Sequence, residues 1–129
     1  ERVRDELADA LHGLGGVERA RRVDLVLREL DLTALADAHP MDLSVVEGAC
    51  DALGAVLTTE PRVILLDEPT RGMDPVRRDQ LAALLRRRAA EGACVLLATH
   101  DPNFALSVAD RHLRLRDGCI VEDRVMVSL

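Results

Sequence analysis

Two short aliphatic runs constrain this chain more than anything else in it. Val63-Ile64-Leu65-Leu66 stops at Asp67-Glu68, and Cys94-Val95-Leu96-Leu97-Ala98 stops at Thr99-His100-Asp101. An unbroken apolar run of this length predicts a strand buried on both faces of a parallel sheet, because a half-buried strand would alternate. Between the runs, Asp74-Pro75 supplies an N-cap and a first-turn proline for a helix to about Ala90, closed by Glu91-Gly92. Pro102 opens another helix. Strand and helix in alternation is the order of parallel α/β sheets. Ligands and chemistry gather at the carboxyl ends of such strands, where both polar clusters fall.

The chain before residue 60 reads differently. Val3, Leu7, Ala10 and Leu11 recur at helical spacing until Gly13, Gly15 and Gly16 break the pattern. Val17 to Leu30 predicts a second amphipathic helix, with Val23, Val26, Leu27 and Leu30 on one face. A connection ending at His39-Pro40 leads to a third helical stretch, Ser44 to Leu57. Its opening Ser44-x-x-Glu47 is a capping box, in which side chains satisfy the free N–H groups of the first turn. At the other end, Leu113–Leu115 and Cys119–Val121 predict short strands joined across Asp117-Gly118, a hairpin signal. The expected fold class is α/β. A helical subdomain over residues 1–58 precedes part of a mainly parallel sheet flanked by helices, over residues 59–129.

Composition narrows the function classes. A chain of 129 residues with 48% hydrophobic content can bury the core of one small domain. Aromatics are 1%, so base-stacking platforms for single-stranded nucleic acid are not expected. The net charge of −6 offers no basic field to nucleic acid or anionic lipid. All 17 basic residues are Arg, and the run Arg86-Arg87-Arg88 reads as a solvated face. Cys50, Cys94 and Cys119 are scattered in apolar contexts without metal-ligand spacing, which predicts free thiols in a reducing cytoplasm and no zinc site. No apolar run approaches the roughly 20 residues that span a bilayer. There is no signal peptide pattern, and the first residue is Glu1 rather than Met, which leaves the natural start open.

The strand-end residues suggest phosphate chemistry. A carboxylate such as Asp67 at the tip of a buried strand can hold Mg²⁺, a hard cation that wants oxygen ligands. A second carboxylate, Glu68, can polarise a water for attack on a phosphate. The same two residues could equally form only the turn after a strand.

With its surroundings, the segment Asp67-Glu68-Pro69-Thr70-Arg71-Gly72-Met73-Asp74 resembles the Walker B motif and D-loop of ABC ATPases. That pattern is four hydrophobics followed by D-E-P-T-x-G-L-D, and only Met73 departs from it. Val95 to Asp101 resembles the family's H-loop, with His100 standing 32 positions after Glu68. Asp42-Leu43-Ser44-Val45-Val46-Glu47 lines up with the signature L-S-G-G-Q, and Ala109-Asp110-Arg111 onward is similar to the family's usual ending. The style of Thr70 to Asp74, with the helix entry Val3 to Leu7, looks most like energy-coupling factor (ECF) ATPases.

The resemblance implies a P-loop NTPase-like fold and the ATP-hydrolysing subunit of an ABC-type transporter. Asp67 would serve Mg²⁺, Glu68 would be the general base, and His100 would sense the γ-phosphate. Asp74 would contact the other subunit, and Ser44 and Glu47 would lie at the signature. The implied cofactors are ATP and Mg²⁺. The implied partners are a second ABC ATPase subunit and a transmembrane transporter subunit, with no nucleic acid, at the inner face of the cell membrane.

Two departures qualify that reading. Val45 and Val46 stand where the family uses glycines for close backbone approach to phosphate, and Glu47 replaces Gln. Ser44 remains as a ligand, and its hydroxyl is equally suited to cap the helix. The chain also has no Lys, so it holds no Walker A motif G-x-x-x-x-G-K-[ST]. The expectation is therefore a fragment, split product or degenerate copy, poorly stable and inactive alone. The alternatives are a non-catalytic, degenerate ABC-like structural partner and, further off, a chromosome-maintenance or repair-type ATPase head lobe. Long heptads expected before such a head are absent from the short, glycine-broken helices here.

Overall fold

The computed structural model describes residues 2–126. Three helices, α1 (Val3–Asp9), α2 (Gly16–Glu29) and α3 (Val45–Thr58), come first. Strand β1 (Val63–Asp67), helix α4 (Pro75–Ala90), strand β2 (Cys94–Ala98) and helix α5 (Pro102–Val108) follow. The hairpin strands β3 (Arg111–Arg116) and β4 (Cys119–Val125) come last. Short 3-10 turns at Thr33–Leu35 and Pro40–Asp42 carry the chain from α2 to α3. Helices thus come first and strand alternates with helix after them; positions 1 and 127–129 of the expected spans lie outside the described residues.

The apolar spacing of the helices explains their packing. Val3 and Leu7 of α1 are fully buried, as are Val26 of α2 and Leu57 of α3 to within a few per cent. Each such side chain contributes roughly 1.5–3 kcal/mol over its exposed state. At Gly54 of α3 the side chains of α1 and of the end of α2 press against the backbone. A Cβ there would lie 2.9 Å from Leu7 Cδ2 and 3.2 Å from both Leu30 Cδ1 and Val26 Cγ1. The same buried cluster continues through Ile64 of β1 and Leu81, Leu84 and Leu85 of α4 to Phe104 of α5.

β1 and β2 pair in parallel, from Val63 opposite Cys94 to Asp67 opposite Ala98. The ladder runs one step further, where the Glu68 N–H donates to the Ala98 carbonyl at 2.8 Å. This register brings both polar clusters to one edge. The hairpin is a separate antiparallel pair, turned by Asp117 (φ 51) and Gly118 (φ 76). Two consecutive positive φ values are what a two-residue hairpin turn requires.

Two expectations need correction, and the cysteines differ among themselves. β1 and β2 are not buried on both faces: Ile64 is 1% exposed, whereas Val63, Leu65 and Leu96 are 58%, 69% and 60% exposed. Among the described residues the helices cover one face of this pair only, so an unbroken apolar run here alternates in burial. Arg86-Arg87-Arg88 is not a solvated face. Arg88 is buried and its Nη2 lies 2.7 Å from Glu29 Oε2, while Arg87 Nη2 lies 2.6 Å from Glu29 Oε1. The cysteines are free, but only Cys50 is buried; Cys94 and Cys119 are exposed, because each sits on an uncovered strand.

Candidate functional site

The site forms where β1 and β2 end. Asp67 is the last residue of β1 and is exposed. Glu68 then takes φ of +48, the left-handed region that a non-glycine residue enters at a cost of about 1 kcal/mol or more. That twist turns the chain off the strand while the Glu68 N–H still completes the ladder. Strain of this kind persists only where the surroundings over-determine it. Here they do: the Glu68 carboxylate accepts from the His100 backbone N–H at 3.0 Å and from Thr99 Oγ1 at 3.4 Å. Its Oε1 also lies 2.7 Å from His100 Nδ1. Hydrogen bonding by the His100 side chain holds the Glu68 carboxyl below the usual carboxylate range, so it is ionised at neutral pH. Apart from that contact the His100 side chain faces solvent, 84% exposed.

Glu68 and His100 line a polar cavity of about 270 Å³ together with Thr70, Arg71, Arg78 and Asp101. Sequence reading placed Glu68 and His100 there but missed Arg78 and Thr70. Arg78 lies four positions into the helix after its cap, and its partners come from a different strand end, so no local pattern marks it. Asp74 caps α4 instead of lining the cavity, with Oδ1 accepting from the Arg77 N–H at 2.9 Å.

Ser44 and Glu47 lie outside the cavity wall and form the capping box of α3. The Ser44 N–H donates to Glu47 Oε2 at 2.8 Å, and the Glu47 N–H donates to Ser44 Oγ at 3.3 Å. Ser44's hydrogen bonds hold the Glu47 carboxyl below its ordinary range. The α3 start nonetheless abuts the turn after β1. A Cβ on Gly72, which has φ of +76, would lie 3.3 Å from Val46 Cγ2. Val45 stands free, 90% exposed.

Among the described residues no group of three or more His, Cys, Asp or Glu side chains could hold a metal by itself. Mg²⁺ does not need such a cage, since it keeps waters and takes one or two carboxylates plus substrate phosphates. An exposed carboxylate at a strand end, as in Asp67, fits that pattern. No helix among the described residues is long and apolar enough to cross a membrane.

Comparison with known proteins fits this geometry. Residues 48–107 match the family described as "AAA domain, putative AbiEii toxin, Type IV TA system". A "Putative ABC transporter ATP-binding protein" of Bacillus cereus is 34% identical over 92% of this chain, which spans 22% of that protein. One from Streptomyces avermitilis is 36% identical over 94% of the chain, which spans 46% of that protein. The chain thus spans less than half the length of these curated relatives. The solved "Structure of ATP binding subunit of ABC transporter" is 26% identical, covers 98% of this chain with 53% of its own, and superposes with a TM-score of 0.86. A structure described as "An inward-facing conformation of a putative metal-chelate type ABC transporter", 23% identical, shares the fold over 97% of this chain and 52% of its own, with a TM-score of 0.77.

Proposed function

Because this chain belongs to the ABC transporter ATP-binding protein family, we propose that it carries the hydrolytic strand ends of an ATPase subunit that drives a membrane transporter. The observation that carries the proposal is Glu68 itself, an ionised carboxylate held in a left-handed turn at the end of β1 and tied to His100 and Thr99. Left-handed φ alone does not single Glu68 out, since Asp31, Glu60 and Asp117 share it in ordinary turns; what singles it out is that the end of β2 supplies the donors that fix its carboxylate, as a base beside a phosphate requires.

The roles follow from placement. Asp67 would hold Mg²⁺, whose charge would offset that developing on the transferred phosphoryl oxygens. Glu68 accepts the proton of the attacking water. In the present arrangement His100 occupies Glu68, so His100 must swing out for the carboxylate to reach water, and its exposed ring is free to meet the γ-phosphate. Ser44 and Glu47 present the start of α3 toward a second ATPase subunit, and Asp74 fixes the turn that would face it. Residues 1–58 act as the helical subdomain that meets a transmembrane subunit, and residues 59–129 as part of the nucleotide-binding core, at the inner face of the membrane. Thr70 to Asp74 favour the ECF type within the family.

Glu68→Gln in the full-length protein tests this. Turnover should fall by about a hundredfold or more, the scale of a lost general base, while ATP binding persists. Unchanged turnover removes Glu68 from the role.

A second reading, a non-hydrolysing companion beside an active subunit, is favoured by the α3 start. Val45 and Val46 put branched side chains where a backbone would have to approach phosphate closely, and Ser44 and Glu47 already satisfy one another. Co-purification with a transporter, with no turnover in the unmutated protein, would select it.

A further inference from the structure

Arg78 bridges two segments that the sheet does not connect directly. Its Nε donates to the Met73 carbonyl at 3.1 Å, in the turn that leads into α4. Its Nη1 donates to Asp101 Oδ2 at 3.1 Å, just past the end of β2. Asp101 is itself fixed, since Oδ1 accepts from the N–H groups of Asn103 at 3.0 Å and Phe104 at 3.1 Å. The Asp101 N–H donates to Thr99 Oγ1 at 3.1 Å, and Thr99 Oγ1 reaches Glu68 Oε2 at 3.4 Å. A continuous hydrogen-bonded path therefore runs from the Met73 carbonyl through Arg78, Asp101 and Thr99 to the Glu68 carboxylate.

From this path we infer that Arg78 is a positioning residue. It fixes the spacing between the 70–74 turn and the Thr99–His100 end of β2, and through Thr99 it aims Glu68. The inference rests on the assignment of Glu68 as the base. Two features mark the role as geometric. The ion pair is partly solvated, with Arg78 43% and Asp101 21% exposed, and such pairs add little to the stability of a fold. A guanidinium also presents rigidly spaced donors, so one side chain can hold two acceptors at a set separation; an ammonium on a flexible stem cannot. Met73 is buried and is anchored in the core, so the turn is a firm post for this strut.

The test uses the full-length protein with Arg78→Ala, Arg78→Lys and Glu68→Gln. Arg78→Ala should lower kcat about tenfold or more and leave KM for ATP within about twofold, as expected when a base is displaced while the groups that bind substrate stay in place. Arg78→Lys should recover only part of the loss. Amide exchange in Arg78→Ala should quicken together in residues 71–74 and 99–101. If Arg78→Ala keeps kcat within about twofold while Glu68→Gln abolishes turnover, the inference fails and the role of Glu68 stands. If Glu68→Gln turns over normally, the assignment of the base fails. The exchange measurement then judges the strut by itself: faster exchange in one segment alone overturns the coupling, even for a protein without turnover.

Discussion

Glu68 and Asp51 are both carboxylates, and their surroundings send them in opposite directions. Glu68 meets donors, so its ionised form is favoured. Asp51 sits on the inner face of α3, 4% exposed, with Oδ1 lacking a hydrogen-bond partner. Burial pushes its carboxyl up to about 6 from an ordinary 3.8, and Glu6 of α1 beside it adds to the rise. A raised carboxyl means that the folded chain holds a proton which the unfolded chain has already released. Its contribution is therefore fully present below about pH 4 and is lost as pH rises through about 6. Asp51→Asn removes that dependence and can donate to Glu6. Urea unfolding across this range should find the variant more stable by about 1 kcal/mol at neutral pH and indistinguishable near pH 4. A parallel pH profile for both proteins would remove Asp51 as the source. Ser44 and Asp74 were the more legible residues, because a helix cap involves only neighbours in sequence.

At the scale of elements, α2 and α4 are joined by the carboxylate of Glu29, which receives both Arg87 and Arg88. Glu29 and Arg88 are about nine-tenths buried, and Arg88 also reaches Glu91 at 3.5 Å. A buried pair of this kind adds little by existing, yet removing one partner strands a charge. Glu29→Ala should cost about 3 kcal/mol in chemical denaturation, and Glu29→Leu combined with Arg88→Met should recover much of it. A loss no larger than that of a surface substitution would show that water reaches Arg88 when Glu29 is gone. The arginine run conceals this contact in the sequence. Three consecutive charges look like a solvated face until α2, about 58 positions earlier, supplies a carboxylate to two of them.

At the scale of the molecule, one face of the β1–β2 pair and much of the hairpin are apolar and bare. Val63, Leu65 and Leu96 are exposed on the first, and Leu115, Ile120 and Val125 on the second. Apolar surface at that density binds hydrophobic probes and promotes association. The 129-residue chain by itself should enhance fluorescence of the dye ANS and elute above monomer size. Leu65→Thr with Leu96→Thr should weaken both signals with little loss of stability, since neither side chain is covered. A dye-silent monomer before substitution would show that the hairpin folds over the sheet in solution.

The sequence by itself determined the element order, the caps of α3 and α4 and the gathering of Asp67, Glu68 and His100 at strand ends. Those features depend on local spacing, on turn chemistry and on the rule that parallel strands end at one edge. Only the tertiary structure decided which face of each strand is covered, which arginine finds a carboxylate, and that Arg78 links the turn after β1 to the end of β2. These depend on contacts between residues far apart in sequence. An apolar run or a charge run looks the same whether or not something packs against it.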